Sequence, residues 1–155
     1  MQPIMFFAVM TLITGLAYPL AVTAVVQLAF PKQSNGSLVV KNGQIIGSEL
    51  IAQPFKDPKY FWPRPSASNY NAVPSGASNL GPTNPKFPKN PDQATSASGL
   101  DPDITIDMAL AQVKRISKVR KIKPEQLQAI LAKSKEPFIN VLLTNLELDN
   151  LVTSL

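Results

Sequence analysis

The chain has 155 residues, with 15 Lys and Arg against 10 Asp and Glu, a formal net charge of +5, 15 Pro, and neither Cys nor His. That length holds one small domain. The missing Cys and His exclude thiolate nucleophiles, imidazole bases, a disulfide framework and the usual Zn and Cu sites, leaving carboxylate, hydroxyl, amine and guanidinium chemistry.

Residues 1–31 carry no charged side chain. From 4 to 30 the chain runs 27 residues without a charge. A helix of that length is about 40 Å long, against a bilayer core of about 30 Å. We read a single transmembrane helix over 4–30, tilted or bent at Pro19, whose missing N–H and ring disturb the preceding turn. Pro3 and Pro31 bracket it, and Tyr18 and Gln27 are its main polar interruptions. Val22-Thr23-Ala24 has the small-residue spacing of a signal-peptide cleavage site. Signal peptides, however, have a basic start and an apolar core of only about 7–15 residues, so an uncleaved anchor is expected. Lys32 and Lys41 follow the helix and no Lys or Arg precedes it, a two-residue bias toward a cytoplasmic C-terminal domain.

The remainder, 32–155, is expected to form a small α+β soluble domain with a long Pro-rich irregular loop. Residues 32–53 are β-rich: Asn42-Gly43 between aliphatic runs predicts a hairpin with strands over 38–40 and 44–46, and a third short strand over 50–52. Residues 53–102 hold 10 of the 15 prolines, a density no regular helix or central strand crosses. Phe55, Tyr60, Phe61, Trp62, Tyr70 and Phe87 argue against a disordered linker there, so 54–102 is expected to be an ordered loop packed on the domain. Residues 105–155 read as mostly helical. Ile106, Ala109, Val113, Ile116 and Val119 follow the spacing of one helix face over 105–121, with Thr105 as N-cap. Pro124 opens a second helix reaching about Lys133. Residues 138–143 form a strand candidate, and Thr144-Asn145-Leu146-Glu147 reads as a capping box opening a terminal helix.

The chemistry available is sparse. Gly43 to Gly47 lacks the Lys-Ser/Thr of a phosphate loop. Neither a P-type pump's phosphorylated Asp signature nor a potassium filter is present, so the chain is not expected to hydrolyse ATP or form a pore by itself. Asp101-Pro102-Asp103 is the close carboxylate pair, read as a turn leading to the Thr105 cap rather than as a catalytic or Ca²⁺ site. Lys114, Arg115, Lys118, Arg120, Lys121 and Lys123 place six basic residues in ten positions. We read them as the solvated face of an amphipathic helix, with anionic headgroups or an acidic partner as the alternative, and no nucleic acid is expected. Arg64, held between Pro63 and Pro65, suits either a partner contact or internal bracing of the loop.

Several strings then carry a resemblance. Residues 30–38 (FPKQSNGSL), 47–55 (GSELIAQPF), 60–67 (YFWPRPSA), 78–84 (SNLGPTN), 96–102 (SASGLDP) and 140–149 (NVLLTNLELD), with 13–20 (ITGLAYPL) in the anchor, resemble the C subunit family of the Kdp-type potassium-transporting ATPase (KdpC family). The match makes this chain a short member. The resemblance implies a single-span accessory subunit of a high-affinity, ATP-driven potassium uptake complex, acting with a channel-like A subunit, a P-type ATP-hydrolysing B subunit and a small F peptide. It implies a catalytic chaperone that raises the ATP affinity of the B subunit. It further implies potassium as the transported ion, no tightly bound cofactor, and ATP engaged only jointly with B. It places the chain in the bacterial cytoplasmic (inner) membrane with its C-terminal domain outside the cytoplasm, against the lysine bias, where help with ATP has to be indirect.

No catalytic and no metal-binding residue is expected. The family-motif and partner-contact candidates are Gln53 and Phe55; Tyr60, Phe61, Arg64, Pro65, Ser66 and Tyr70; Ser78, Asn79 and Asn84; Ser98, Gly99, Leu100 and Asp101; and Asn140, Asn145 and Asp149. Phe6, Phe7, Tyr18 and Pro19 are assigned to the membrane anchor. The family's longer stretch with a helix and a strand is replaced here by 86–95, and its loop before Asn-Val shrinks to 135–139. Trp62-Pro63 stands where Gly is common, and Asp103 where His or Asn is common. A trimmed domain lacking a sheet or helix layer is therefore expected. The rival readings are a membrane-anchored interaction domain no longer in a pump and a membrane-anchored hydrolase with an Asp buried beside a serine in a pocket.

Overall fold

The computed structural model describes residues 2–90, 93–134 and 137–153; Pro91 and Lys135, which fall in the two shortened stretches, lie outside them. The chain divides into two compact units, residues 1–38 and 39–155.

The first unit is the apolar helix: α1 (Gln2–Leu12), a π-helical turn (Ile13–Ala17) and α2 (Tyr18–Ala29), followed by the single turn α3 (Pro31–Ser34). Pro19 cannot donate a backbone hydrogen bond, and its ring crowds the carbonyl four residues earlier. The helix runs through Pro19 because the turn before it widens, with Tyr18 N–H reaching Ile13 C=O. The hydroxyls of Thr11, Thr14 and Thr23 donate to the carbonyls of Phe7, Met10 and Pro19, four residues back. Such self-satisfied hydroxyls spare the helix an unpaired polar group in hydrocarbon.

In the second unit β1 (Leu38–Lys41) and β2 (Gln44–Ser48) form the hairpin. Asn42 and Gly43 at its tip have φ of 52° and 78°, the left-handed pair that a tight hairpin turn needs. The strand expected over 50–52 does not form. Ser48 Oγ accepts from Leu50 N–H at 3.1 Å, closing a local turn, and Ala52 N–H donates to Leu100 C=O at 2.9 Å instead of to a strand. From 49 to 102 the described chain has no α-helix or strand. Then come β3 (Asp103–Thr105), α4 (Ile106–Arg120), α5 (Pro124–Leu131), β4 (Phe138–Asn140) and α6 (Val141–Thr153). β3 and β4 pair antiparallel with Ile104 opposite Ile139, a strand that the Asp-Pro-Asp turn signal concealed.

The core gathers Phe61 from the irregular segment with Ile104, Ala109, Val113 and Ile116, Leu127 and Leu131 of α5, Ile139, and Val141 and Leu148 of α6. Thr105 caps α4 as expected, its Oγ1 accepting from Met108 N–H at 3.1 Å. Val119, expected on the buried face, is 47% exposed. At about 100° per residue it falls roughly 90° off the stripe of 109, 113 and 116. Lys121, at φ 57°, then turns the chain so that Ile122 enters the core. The C-terminal reading also needs correction. The strand ends at Asn140 and α6 begins at Val141, because Asn140 Oδ1 accepts from Leu143 N–H at 3.2 Å and caps the helix. Thr144 therefore lies inside the helix, its hydroxyl donating to Asn140 C=O at 2.8 Å, and 144–147 is not a capping box.

Candidate partner-contact site

The aromatic segment around Tyr60-Phe61-Trp62 is held by side chains rather than by a sheet. Phe61 is fully buried, which contributes about 1.5–3 kcal/mol. Its backbone is clasped by the amide of Asn145: Phe61 N–H donates to Oδ1 at 2.8 Å, and its C=O accepts from Nδ2 at 3.0 Å. Trp62 is clasped the same way by Gln112, with N–H to Oε1 at 2.8 Å and C=O from Nε2 at 3.1 Å. Two amides on α6 and α4 thus replace the strand partner that the flanking Pro63 and Pro65 cannot support.

Arg115 donates to the carbonyls of Pro58 and Tyr60 and to Gln112 Oε1, and its guanidinium lies 3.8 Å from the Trp62 ring centroid. Burial lowers the Arg115 pKa below its ordinary value, and the group stays cationic at neutral pH. Arg120 donates to Lys59 C=O at 2.7 Å and to Asp149 Oδ1 at 2.8 Å, and lies 4.8 Å from the Tyr60 ring centroid. Asp149 Oδ2 accepts from the Tyr60 hydroxyl at 3.2 Å and from Lys41 Nζ at 3.4 Å. Burial by itself would raise the Asp149 pKa, but the hydrogen bond and charge of Arg120, with Lys41 and Tyr60, hold it below the usual carboxylate range. Phe55 packs on Tyr60 with ring centroids 5.4 Å apart.

The two arginines correct the reading of the basic run as wholly solvated. Arg120 sits on the line of the buried stripe, four residues after Ile116, and could have been read as an inward residue from that register. Gln112 lies roughly 65° off the same stripe and Arg115 roughly 125° off it, so the register gives no signal that Arg115 turns inward. Lys114, Lys118, Lys121 and Lys123 are exposed, as expected.

A second cluster surrounds Arg64. Its Nη1 pairs with Asp101 Oδ2 at 3.3 Å and its Nη2 donates to Thr95 C=O at 3.3 Å, so Arg64 braces the loop internally. Asp101 Oδ1 accepts from Asp103 N–H at 3.1 Å, the turn expected of Asp-Pro-Asp. Tyr70 donates its hydroxyl to Arg64 C=O at 3.0 Å, and burial raises its pKa. Ser66 Oγ accepts from Tyr70 N–H at 2.9 Å, and Pro65 C=O accepts from Ser96 N–H at 3.0 Å. Gly99 has φ of 73°, and a Cβ there would stand 2.5 Å from Ser68 Oγ and 2.8 Å from the Gly76 carbonyl oxygen. Leu100 C=O accepts from Ala52 N–H, and Asn140 Nδ2 donates to Glu49 C=O at 2.8 Å. The Gln53 amide fills the space over Gly47, where a Cβ would meet Nε2 at 1.4 Å.

The expected site residues therefore divide. Phe61, Arg64, Ser66, Tyr70, Gly99, Asp101, Asn140, Asn145 and Asp149 are engaged within the fold, whereas Ser78, Asn79, Asn84 and Ser98 are exposed, with Asn84 Oδ1 and Ser98 Oγ accepting from Lys86 N–H and Leu100 N–H in local turns. In the anchor Phe6, Phe7 and Tyr18 are 68%, 72% and 67% exposed, and Pro19 is exposed with them. A cleft of about 460 Å³ is lined by Arg64, Asp101, Asp103, Ile104, Thr105, Met108 and Phe138. It holds both aspartates but no serine among its described lining. Thr105 Oγ1 is engaged as a helix cap and Asp101 as a turn and ion-pair partner, so the cleft does not assemble the serine and general base that a hydrolase needs. No group of three carboxylates that could hold a metal occurs among the described residues.

Comparison with known proteins follows this geometry. The family model described as "KdpC: K+-transporting ATPase, c chain" matches residues 1–94 and 91–150, two segments that overlap at 91–94 inside the shortened 86–95 stretch. A protein of Citrifermentans bemidjiense named potassium-transporting ATPase KdpC subunit is 42% identical, over 95% of this chain and 94% of its own length. Proteins of the same name from Rhodopseudomonas palustris and Variovorax paradoxus are 42% and 43% identical, over 94% of this chain in each case and 94% and 93% of their own lengths. The first of these alignments spans 179 positions, more than the 155 residues of this chain, so that relative carries residues with no counterpart here. Among the described residues one helix, Gln2–Ala29 with 28 residues, is long and apolar enough to cross a membrane. With the family model and the relatives both spanning nearly its whole length, the chain belongs to the KdpC family of K+-transporting ATPase c chains.

Proposed function

We propose that this chain is the single-pass accessory subunit of an ATP-driven potassium uptake complex, non-catalytic on its own, which holds a channel-like A subunit, a P-type B subunit and a small F peptide in a working assembly. The observation that carries this reading is the similarity to relatives named potassium-transporting ATPase KdpC subunit, 42–43% identical over 94–95% of the chain. The apolar helix is its anchor in the bacterial cytoplasmic membrane, and residues 32–155 are its soluble domain, placed outside the cytoplasm. Potassium is the ion carried by the complex. ATP is engaged only jointly with the B subunit, whose nucleotide affinity the chain raises indirectly, through the assembled complex. Exposed motif residues such as Ser78, Asn79 and Asn84 are the partner contacts, while the arginine and asparagine braces hold the surface that presents them.

Co-expression with A and B subunits tests the proposal: the chain should co-purify with a tagged A subunit, and potassium-stimulated ATP hydrolysis should fall when it is omitted. A complex assembled without it and retaining full activity would refute the role. Reporter fusions at Leu155 that are active only outside or only inside the cytoplasm test the orientation.

A further inference from the structure

Four lysines stand apart from the braces described above. Lys114 and Lys118 fall on one side of α4, opposite the buried stripe, with Lys121 at the C-terminal cap of that helix and Lys123 just before α5. All four are exposed, and among the described residues none is in an ion pair. Lys114 and Lys118 rim a groove of about 570 Å³ between α4 and α5. Its other lining residues are Leu110, Val113, Ser117, Pro124 and Gln128. Leu110 is 41% exposed beside the lysines. A groove with Leu110, Val113 and Pro124 in its lining under a cationic rim fits an amphiphile with a negative head.

The chain itself limits where such a ligand is met. The apolar helix ends at Ala29 and the second unit starts at Val39, leaving nine residues between them, an extended reach of about 30 Å at most. Once the helix spans a bilayer, this linker keeps the second unit tethered to that membrane, so weak electrostatic contacts with headgroups act at high effective concentration. We propose that the Lys114, Lys118, Lys121 and Lys123 face is a docking surface for anionic phospholipid headgroups of the membrane that holds the helix. The inference needs the anchor but not membership of a working pump. A lysine near an anionic surface shifts the binding constant about fivefold, so removing four lowers the docking equilibrium constant on the order of several hundredfold.

The native chain has no Cys, so A129C in the full-length protein carries one fluorescent donor at an exposed position of α5 that does not line the groove. The protein is reconstituted in nanodiscs of phosphatidylcholine, with or without phosphatidylglycerol, each holding a headgroup-labelled acceptor lipid. Transfer efficiency should rise when phosphatidylglycerol is present. It should return to the neutral-lipid value in ~0.5 M salt, where the screening length falls to a few ångströms. The same loss is expected with all four lysines changed to Gln, whose exposed positions leave the fold intact by circular dichroism. An embedded chain with equal transfer in both lipids overturns the proposal. Transfer that rises only when A and B subunits are added, in neutral lipid, also overturns it and assigns the face to an acidic protein surface. A chain that fails to enter nanodiscs refutes the anchor itself.

Discussion

Replacing Asn145 by Leu tests whether one side-chain amide holds the aromatic segment in place. Asn145 is 2% exposed and Phe61 fully buried, so the loss strands a buried N–H and a buried C=O with no water to take them. Each such group costs about 1–3 kcal/mol. Leucine recovers part of that through apolar burial, and a net loss of about 3 kcal/mol is expected. Asn145→Asp separates hydrogen bonding from packing. The carboxylate still accepts from Phe61 N–H but faces the Phe61 carbonyl oxygen, whereas the protonated acid donates to it as the amide does. The folded-state pKa of that Asp is therefore raised above the unfolded value of about 3.9. Between the two values the native state binds more protons, so the variant gains stability relative to the parent as pH falls from 7 toward 4, by up to about 1.4 kcal/mol per pH unit. Trp62 is the sole tryptophan and adjoins the clasp, so urea unfolding of the full chain in detergent micelles, followed by its fluorescence, reads the change directly. A Leu variant within about 0.5 kcal/mol of the parent, or an Asp variant with no pH response, would refute the clasp.

Arg120→Met removes the bonds to Lys59 and Asp149 from a side chain only 9% exposed, and a loss of about 2–3 kcal/mol is expected in the same unfolding assay. The pKa of Asp149 is depressed in the fold, so its contribution is complete above the unfolded value of about 3.9 and is lost as pH falls through the lower folded value. Asp149→Asn should accordingly flatten the acid limb of the stability profile below about pH 4, and an unchanged limb would exclude this role. Gly99→Ala places a methyl group against Ser68 and the Gly76 carbonyl at a left-handed φ, for an expected cost of about 1–3 kcal/mol read as a lower Tm. Arg115→Lys loses the planar stack on Trp62 and the forked bonds to Tyr60. A shifted Trp62 emission maximum and a loss of about 1–2 kcal/mol should follow, and an unaltered spectrum would count against the stack.

The amino-acid order alone determined the elements whose causes are local. An uncharged run longer than a bilayer core marks the apolar helix, Asn42-Gly43 sets the hairpin, Thr105 starts α4 and Pro124 starts α5. Each depends on neighbours within a few residues, where propensity and hydrogen-bonding geometry act directly. The resemblance carried by short strings identified the family for the same reason. Only the tertiary structure decided where the terminal helix begins, because two caps compete there and Asn140 prevails while also reaching Glu49, 91 residues away. Likewise, only the fold showed that Arg115 joins Arg120 against the aromatic segment while their lysine neighbours stay in solvent. A run of positive charge is uniform in sequence. The helix, at 3.6 residues per turn, puts Arg120 on the line of the buried stripe, whereas Arg115 lies well away from it and is drawn to the aromatic segment by the Pro58 and Tyr60 carbonyls, which the prolines leave without a sheet partner.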